Sequence, residues 1–268
     1  IIAGDWSSDV CSSDLNTMAK EEVGHNFLAR LGKTRLRPGG RKATEWLIAS
    51  GDFNKEKKVL EVACNMCTTA IGLAKQYGCQ IEGVDLDENA LEKARANIAA
   101  NNLQDKIHVQ RANAMKLPFE DNTFDIVINE AMLTMLPVEA KMKAVAEYFR
   151  VLKPGGFLLT HDVMLVGDDH KTILENMRNA INVTVTPLTK DGWKQVFLDS
   201  GFRNIETFSG EMTLLSPKGM IYDEGVLGTL KIIKNAMKAE NREQFKRMFS
   251  TFNDPEHKLH FIAVCSQK

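Results

Sequence analysis

Short apolar runs rich in β-branched residues alternate along this chain with longer segments whose apolar residues recur at helical spacing. The runs predicted to be strands are KKVLEVA, CQIEGVDLD, DKIHVQRA, TFDIVINEA and FLLTHDVML. Between them, TTAIGLAKQYG predicts a helix that stops at Gly78, ENALEKARANIAANN predicts a second, and a third is predicted from Val138 to Leu152. KPGG then supplies a turn signal before the fifth strand.

Strands repeatedly separated by helices predict right-handed crossovers and a mostly parallel sheet that is covered on both faces. The pattern is therefore typical of a doubly wound, Rossmann-like α/β fold. In such sheets ligands bind beyond the carboxyl ends of the strands, near the point where the strand order reverses. The candidate site residues at or just after predicted strand ends are Glu61 with the loop 63–68, Asp85, Asn113, Asn129, Glu130, His161 and Asp162.

Composition narrows the classes of function. The 268 residues are 44% apolar, enough for a sizeable core. The longest apolar stretches are interrupted by charges before the ~20 residues that a membrane span needs. A formal net charge of -1 gives no broad basic field, so a nucleic-acid partner is disfavoured. Five cysteines without framework spacing favour a reducing compartment, and we expect a soluble, cytoplasmic protein.

The segments outside the alternating region predict the domain organisation. DWSSDVCSSDL, from Asp5 to Leu15, resembles a translated sequencing adaptor joined to a native start near Met18. We therefore expect residues 1–17 to be a non-native or disordered leader in which Cys11 has no function. The other predicted units are an N-terminal cap at 18–54, a core at 55–210, a helical insertion or lid at 211–256 and a closing strand at 257–268.

The first predicted strand leads into a loop that is placed like a nucleotide-binding turn but lacks its glycines. Ala63, Asn65 and Cys67 occupy the glycine positions, and Asn tolerates a left-handed backbone better than most residues. A bulky diphosphate is disfavoured there, whereas a cofactor with adenosine and no phosphates demands less of the loop. Asp85 ends the second strand ~20 residues later, where a carboxylate reads ribose hydroxyls, while Asp87 is better placed to cap the next helix. S-adenosylmethionine fits this combination.

Several motifs together resemble a known family. VLEVACNMC, GVDLD, ANAMKLPF, FDIVINEAML and RVLKPGGFLLTHDV are similar in order and spacing to class I S-adenosylmethionine-dependent methyltransferases, in particular the ubiquinone/menaquinone C-methyltransferase branch. The resemblance covers about residues 55–165, and PLTKDGWKQVFLDSGF extends it toward residue 202. It implies a seven-stranded sheet with an antiparallel last strand. The cofactor contacts that it implies are Glu61 and the backbone of Ala63, Asn65 and Cys67 at the methionine portion, Asp85 at the ribose with Leu86 beside it, Asn113 and Ala114 at the adenine, and Asn129 beside the sulfonium.

The chemistry of methyl transfer requires that acceptor, methyl carbon and sulfur be held in line and that water be excluded. For an acceptor that must lose a proton, His161, Glu130 and Asp162 are the candidate general bases. A strand-end histidine is about as often a satisfied structural residue. Cys64 and Cys67 form a C-x-x-C pair. We interpret them as small side chains at glycine positions because no partner ligands occur at metal-site spacing.

Two further segments are candidates for contact with a small-molecule methyl acceptor. The cap carries a basic cluster around a Pro-Gly-Gly turn, which either offers a cation to an acceptor carboxylate or is a solvated face. The cluster consists of Lys33, Arg35, Arg37, Arg41 and Lys42. In the late insertion, EGVLGTLKIIKNAMKAE and NREQFKRMFSTF predict two helices before KLHFIAVCSQK closes the sheet. The methionines that either line an adaptable apolar pocket or belong to the core are Met132, Met135, Met164, Met212 and Met220.

Three functions are consistent with these observations. A small-molecule methyltransferase is favoured. A nicotinamide-dependent oxidoreductase would keep the fold, but the loop disfavours it. A non-catalytic member that binds a ligand or partner without turnover is suggested by the missing glycines.

Overall fold

The computed structural model describes residues 22–256 and 259–268, in which a single mixed sheet is flanked by helices. Within these ranges the strands are β1 Lys58–Val62, β2 Gln80–Asp85, β3 Ile107–Arg111, β4 Phe124–Glu130, β5 Leu152–Leu165, β6 Leu188–Thr189, β7 Arg203–Glu211 and β8 His260–Gln267. The α-helices in the same ranges are α1 Gly24–Leu31, α2 Gly40–Ser50, α3 Thr68–Tyr77, α4 Glu88–Ala100, α5 Val138–Val151, α6 His170–Ile181, α7 Lys190–Asp199, α8 Pro217–Ala236 and α9 Ala239–Phe252. A 3-10 helix spans Leu133–Met135.

The sheet has the topology that the alternating pattern and the family resemblance predict. Seven strands lie in the order β3-β2-β1-β4-β5-β8-β7, and the short β6 pairs with β5 beside this path. Strands β1 to β5 run parallel, whereas β8 is antiparallel to both of its neighbours. The predicted doubly wound fold with an antiparallel last strand is therefore confirmed. Strand order reverses between β1 and β4, which directs a ligand to the crevice beyond their carboxyl ends.

Local signals account for the elements around this crevice. Strand β1 is buried from Val59 onward because helices cover both faces of a parallel sheet. Helix α3 ends at Tyr77 and is followed by Gly78, whose φ of 71° provides a left-handed C-cap. Asp87 caps α4 by accepting a hydrogen bond from the backbone N–H of Asn89, as predicted.

The turn predicted at KPGG, between α5 and the fifth strand, is wrong. Helix α5 ends at Val151, one residue before the predicted Leu152. Strand β5 begins at Leu152, so KPGG lies inside the strand. Phe124 pairs with Leu152 and Ile126 with Phe157, and the residues between leave the ladder as a bulge. Gly155, at a φ of 78°, makes this bulge possible without strain. Helices α1 and α6 were not predicted. For the eight-residue α1, the reason is that short helices depend on tertiary packing more than on local signals.

Helices from both ends of the chain share a third hydrophobic core, distinct from the two that flank β1. Helices α1, α6, α8 and α9 contribute to it, together with the end of β5. Its buried members include Phe27, Leu31, Val163, Ile173, Met177, Ile232, Met248 and Leu259. The N-terminal cap and the late insertion therefore pack together although they are far apart in the sequence.

Part of the basic cluster of the cap contacts α8. Lys33 is only 1% exposed, and its Nζ lies 3.6 Å from Asp223 Oδ2 and 3.5 Å from Glu224 Oε1. Arg35 donates a hydrogen bond to the backbone carbonyl of Asp223 at 2.6 Å. For Lys33, the prediction of a solvated face and the prediction of a cation free to bind an acceptor are therefore both wrong.

In the described part of the chain, no helix is both long and apolar enough to cross a bilayer. The expectations for residues 1–17, including Cys11, and for residues 257–258 at the start of the closing segment lie outside the described residues.

Candidate active site

A cavity of about 360 Å³ opens where the carboxyl ends of β1, β2, β4 and β5 lie side by side. Its lining combines polar groups from the strand ends with apolar side chains from the surrounding helices. Register pairs Glu61 with Gly83 and with Ile128, and Glu130 with His161, so several predicted residues share this edge. Those predicted residues that line the cavity are Glu61, Ala63, Asn65, Asp85, Glu130 and Asp162.

The loop after β1 keeps a glycine-type backbone without glycine. Ala63, Asn65 and Cys67 have φ values of 57°, 48° and 57°, all in the left-handed region. This conformation costs a non-glycine residue ~1–2 kcal/mol, and asparagine pays least. The backbone N–H of Cys67 closes the turn by donating to the Cys64 carbonyl at 2.8 Å. Both cysteines are buried with free thiols, and Cys64 also lines the cavity.

Asp85 ties this loop to the end of β2. Its Oδ2 accepts a hydrogen bond from the Asn65 backbone N–H at 2.9 Å, and its Oδ1 accepts one from Asp87 N–H at 3.0 Å. A carboxylate has about four lone-pair sites, so both oxygens retain acceptor capacity toward the cavity. Asp85 is therefore fixed in position and still able to accept hydrogen bonds from a diol.

Glu130 is the centre of a buried polar network that joins the cap to the sheet. Arg37 Nε lies 3.3 Å from its Oε1, and Thr69 Oγ1 donates to the same oxygen at 3.1 Å. Thr44 Oγ1 donates to Oε2 at 2.6 Å, and Arg37 also donates to the Thr44 and Thr69 hydroxyls. Burial alone would raise the pKa of Glu130, but the Arg37 charge and the His161 hydrogen bond outweigh it and lower the pKa to about 2. Glu130 is therefore ionised, and Arg37 is its counter-ion.

Glu61 lies in the same region as Glu130, but its pKa is shifted in the opposite direction. Its carboxyl is buried, and Oε2 accepts a hydrogen bond from the backbone N–H of Ala70 at 3.1 Å. Burial, with the nearby Glu130 charge, raises the pKa of Glu61 to about 8 although Arg37 opposes the shift. Arg37 pairs directly with Glu130 and not with Glu61, which explains why the two carboxyl groups differ. A cationic group of a ligand at Glu61 would supply the counter-charge that the protein does not.

His161 is held on both sides of its ring. The backbone N–H of Gly39 donates to Nε2 at 2.9 Å, and Nδ1 lies 3.1 Å from Glu130 Oε2. Because Nε2 accepts, Nδ1 must carry the proton and donate it to the carboxylate. His161 is fully buried and does not line the cavity. Its predicted role as a general base stays a prediction, and the contacts describe a residue that positions Glu130.

Asp162 and Asn129 occupy neighbouring strand ends with different access to the cavity. Asp162 lines it, and its oxygens accept hydrogen bonds from Thr134 N–H at 3.0 Å and Val163 N–H at 2.9 Å. Burial raises the pKa of Asp162. Asn129 donates to the Val62 carbonyl at 3.0 Å, and its Oδ1 is buried without a hydrogen-bond partner among the described residues.

Besides Asn129, four predicted cofactor residues lie outside the cavity itself. Leu86 is 57% exposed, and Asn113 is exposed with Oδ1 accepting from Met115 N–H at 3.0 Å. Ala114 is half-buried, and Cys67 is fully buried. Their assignment to a cofactor stays a prediction.

The apolar part of the cavity comes from α6 and from the two segments that were predicted to contact an acceptor, the cap and the late insertion. Met132, Met135 and Met212 line it as proposed, whereas Met164 and Met220 belong to the buried cores. The lining residues that were missed include His25, Leu28, Met177, Ile181, Met248 and Phe252. The apolar spacing of HKTILENMRNAI would have identified α6 as an amphipathic helix with such a face.

Comparison with known proteins agrees with this geometry. The methyltransferase domain family matches residues 59–156, from β1 into β5. An uncharacterized protein of Haemophilus influenzae is 86% identical over 251 residues, which cover 94% of this chain and all of that protein. The demethylmenaquinone methyltransferase of Desulfitobacterium hafniense is 33% identical over 151 residues, 55% of this chain and 56% of that protein, so this chain spans about half the length of that relative.

Among solved structures, a putative sarcosine dimethylglycine methyltransferase from Galdieria sulphuraria has the same fold. It matches with a TM-score of 0.72 at 18% sequence identity, over 91% of this chain and 97% of that one.

These findings resolve the choice of enzyme class. The methyltransferase domain covers β1, the loop after it, Asp85 at the end of β2, and β4. The alternative of a nicotinamide-dependent oxidoreductase is therefore wrong. The chain carries a methyltransferase domain at residues 59–156, within a sheet that has the methyltransferase strand order.

Proposed function

We propose that this protein transfers a methyl group from S-adenosylmethionine to a small, largely apolar acceptor. The observation that carries the proposal is that one cavity is lined both by the Glu61 and Asp85 carboxyl groups and by a wall of methionine and aliphatic side chains. A cofactor and an apolar molecule can therefore share one enclosed space.

The residues present fit the cofactor. Asp85 keeps acceptor sites for a ribose diol while it fixes the loop, and Glu61 is a buried carboxyl without a counter-ion of its own, suited to an ammonium group. The left-handed loop at Ala63 and Asn65 exposes backbone to the cavity without phosphate-binding glycines. When bound, S-adenosylmethionine supplies a methyl group that its sulfonium activates for in-line displacement.

The protein's contribution is mainly to position the reactants and exclude water. The wall of Leu28, Met177 and Met248 would desolvate an apolar acceptor and hold it against the strand ends. Arg37 is neutralised by Glu130, so it is poorly suited to bind an acceptor carboxylate. We therefore favour an uncharged acceptor.

Of the three candidate bases, Asp162 is the one we favour for an acceptor that loses a proton. It lines the cavity, and burial raises its pKa toward the range where a carboxylate is a useful base. Glu130, with a pKa lowered to about 2, is a poor proton acceptor. We assign His161 to the positioning of Glu130.

Calorimetric titration of S-adenosylmethionine into the protein tests the cofactor assignment. We expect micromolar affinity and a loss of roughly 10- to 100-fold in Asp85→Asn, because the substitution weakens hydrogen bonds to a charged acceptor. Asp105→Ala, which removes an exposed carboxylate in the turn before β3, is the matched control and should bind normally. Equal binding by Asp85→Asn and the wild type would remove Asp85 from the site.

Formation of S-adenosylhomocysteine with a panel of uncharged apolar phenols, enols and amines tests turnover. Product with any of them excludes a non-catalytic ligand-binding member, the alternative suggested by the glycine-poor loop. Preference for carboxylate-bearing acceptors would contradict the apolar assignment.

A further inference from the structure

The second half of helix α8 presents large apolar side chains to solvent. The helix is interrupted at Gly225, whose φ is 72°, and the exposed residues follow this interruption. They are Val226, Leu227, Leu230, Ile233 and Met237, with exposures from 39% to 83%. Scattered exposed apolar residues are ordinary, whereas five within twelve positions of one helix need an explanation.

Helical geometry gathers these side chains on one face. At 100° per residue, positions 226, 227, 230, 233 and 237 fall within an arc of roughly 120°. The opposite side of the helix is buried through Thr229, Ile232 and Ala236. The exposed apolar arc is therefore a continuous stripe on a helix that is already anchored to the protein. We call this stripe the α8 face.

Lysines border the α8 face and acids are missing from the segment. Lys231 and Lys234 lie along one edge of the stripe, Lys238 follows at the junction with α9, and residues 225–238 contain no Asp or Glu. The acids just before the kink are turned inward, since Asp223 is buried and Glu224 accepts hydrogen bonds from the backbone N–H groups of Thr34 and Arg35. On a chain of net charge -1, this is a local concentration of positive charge beside apolar surface.

We propose that the α8 face docks on an anionic lipid bilayer. A helix that carries apolar residues flanked by lysines lies in the plane of such a surface, with its apolar side among the acyl chains and its lysines at the headgroups. A second copy of the chain is a poorer partner, because a symmetric contact through this face would bring lysine-bearing edges close together. The charge of the stripe thus selects lipid over self-association.

Helix α1 connects the helix that bears the α8 face to the cavity. Asn235 Nδ2 donates to the Leu31 carbonyl of α1 at 2.9 Å, and α1 lines the cavity through Leu28. A docked α8 would hold the cavity near the bilayer, where apolar molecules concentrate. The docking inference itself does not rest on the proposed methyl transfer, and lipid binding is measured without cofactor or acceptor.

Co-sedimentation with vesicles tests the inference. We expect the full chain to pellet with phosphatidylcholine vesicles that contain about 30% phosphatidylglycerol, and to remain in the supernatant with phosphatidylcholine alone. Each lysine near an anionic surface is worth roughly a fivefold change in binding, so Lys231→Gln with Lys234→Gln should lower the partition coefficient about 25-fold. Leu227→Glu with Leu230→Glu should abolish binding. Leu198→Glu, at a 44% exposed position on α7, is the matched control and should bind like the wild type.

Three results would overturn the proposal. Wild-type protein that stays in the supernatant with anionic vesicles rejects it directly. Unchanged binding by the Leu227/Leu230 double variant moves any lipid contact elsewhere. A wild-type dimer in sedimentation velocity that Leu227→Glu with Leu230→Glu converts to monomer assigns the face to self-association. Circular dichroism melting of every variant separates these outcomes from misfolding.

Discussion

Replacement of Ala63 by glycine should stabilise the protein. Ala63 has a φ of 57°, a left-handed conformation that costs an alanine ~1–2 kcal/mol and costs glycine nothing. Glycine loses more backbone entropy on folding, ~0.5–1 kcal/mol, and the half-buried methyl group is too small to change the sign. The net gain for Ala63→Gly is therefore about 0.5–1 kcal/mol.

The matched control is the same substitution at a helical site. Ala96 lies exposed in the middle of α4, where Ala→Gly should cost about 1 kcal/mol. At roughly 2–4 °C per kcal/mol for a chain of this size, Ala63→Gly should raise the Tm by about 1–4 °C and Ala96→Gly should lower it by about 2–4 °C. Calorimetry and urea denaturation measure both. If Ala63→Gly lowers the Tm as much as Ala96→Gly does, the left-handed loop is not strained and the reasoning fails.

Two further predictions concern buried charges. Burial raises the pKa of Glu61 from 4.5 to about 8, so its favourable contribution to stability is complete below the unfolded-state value and is lost as the pH rises through 8. As the pH rises from 5 to 9, the unfolding free energy of the wild type should therefore fall relative to that of Glu61→Gln by about 2–4 kcal/mol, as measured by urea denaturation. A difference between the two proteins that does not change with pH would contradict the shift. Lys33→Met leaves Asp223 without its buried cation and should lower the free energy of unfolding by about 3 kcal/mol. Lys75→Met, at an exposed position, should change it by less than about 0.5 kcal/mol. Similar losses in both variants would show that the buried pair is unimportant.

Features with a local cause were predictable from the sequence. Strand and helix alternation, the left-handed end of α3 at Gly78 and the cap at Asp87 each depend on residues within a few positions of one another. The place of Asp85 followed from a general rule for doubly wound sheets. Such signals located the crevice and the polar part of its lining.

Features with a long-range cause were not predictable. Nothing near Arg37 in the sequence indicates that its partner is Glu130, because the pair forms only when the cap folds over the sheet. The wall that includes Met177 and Met248 likewise depends on the packing of α6 and α9. The bulge at Gly155 escaped notice because a Pro-Gly pair usually marks a turn, whereas here the ladder resumes beyond it.

The third core, which joins α1 to α6, α8 and α9, has a consequence for protein engineering. Relatives of this enzyme invite chimeras in which the late helices are exchanged to change which molecule is methylated. Here such a graft would replace one half of a shared interior and leave Phe27 and Leu31 facing foreign surfaces. Transplantation should succeed only when the segment before β1 travels together with the two helices before β8, as a single module assembled from two segments that are distant in the sequence.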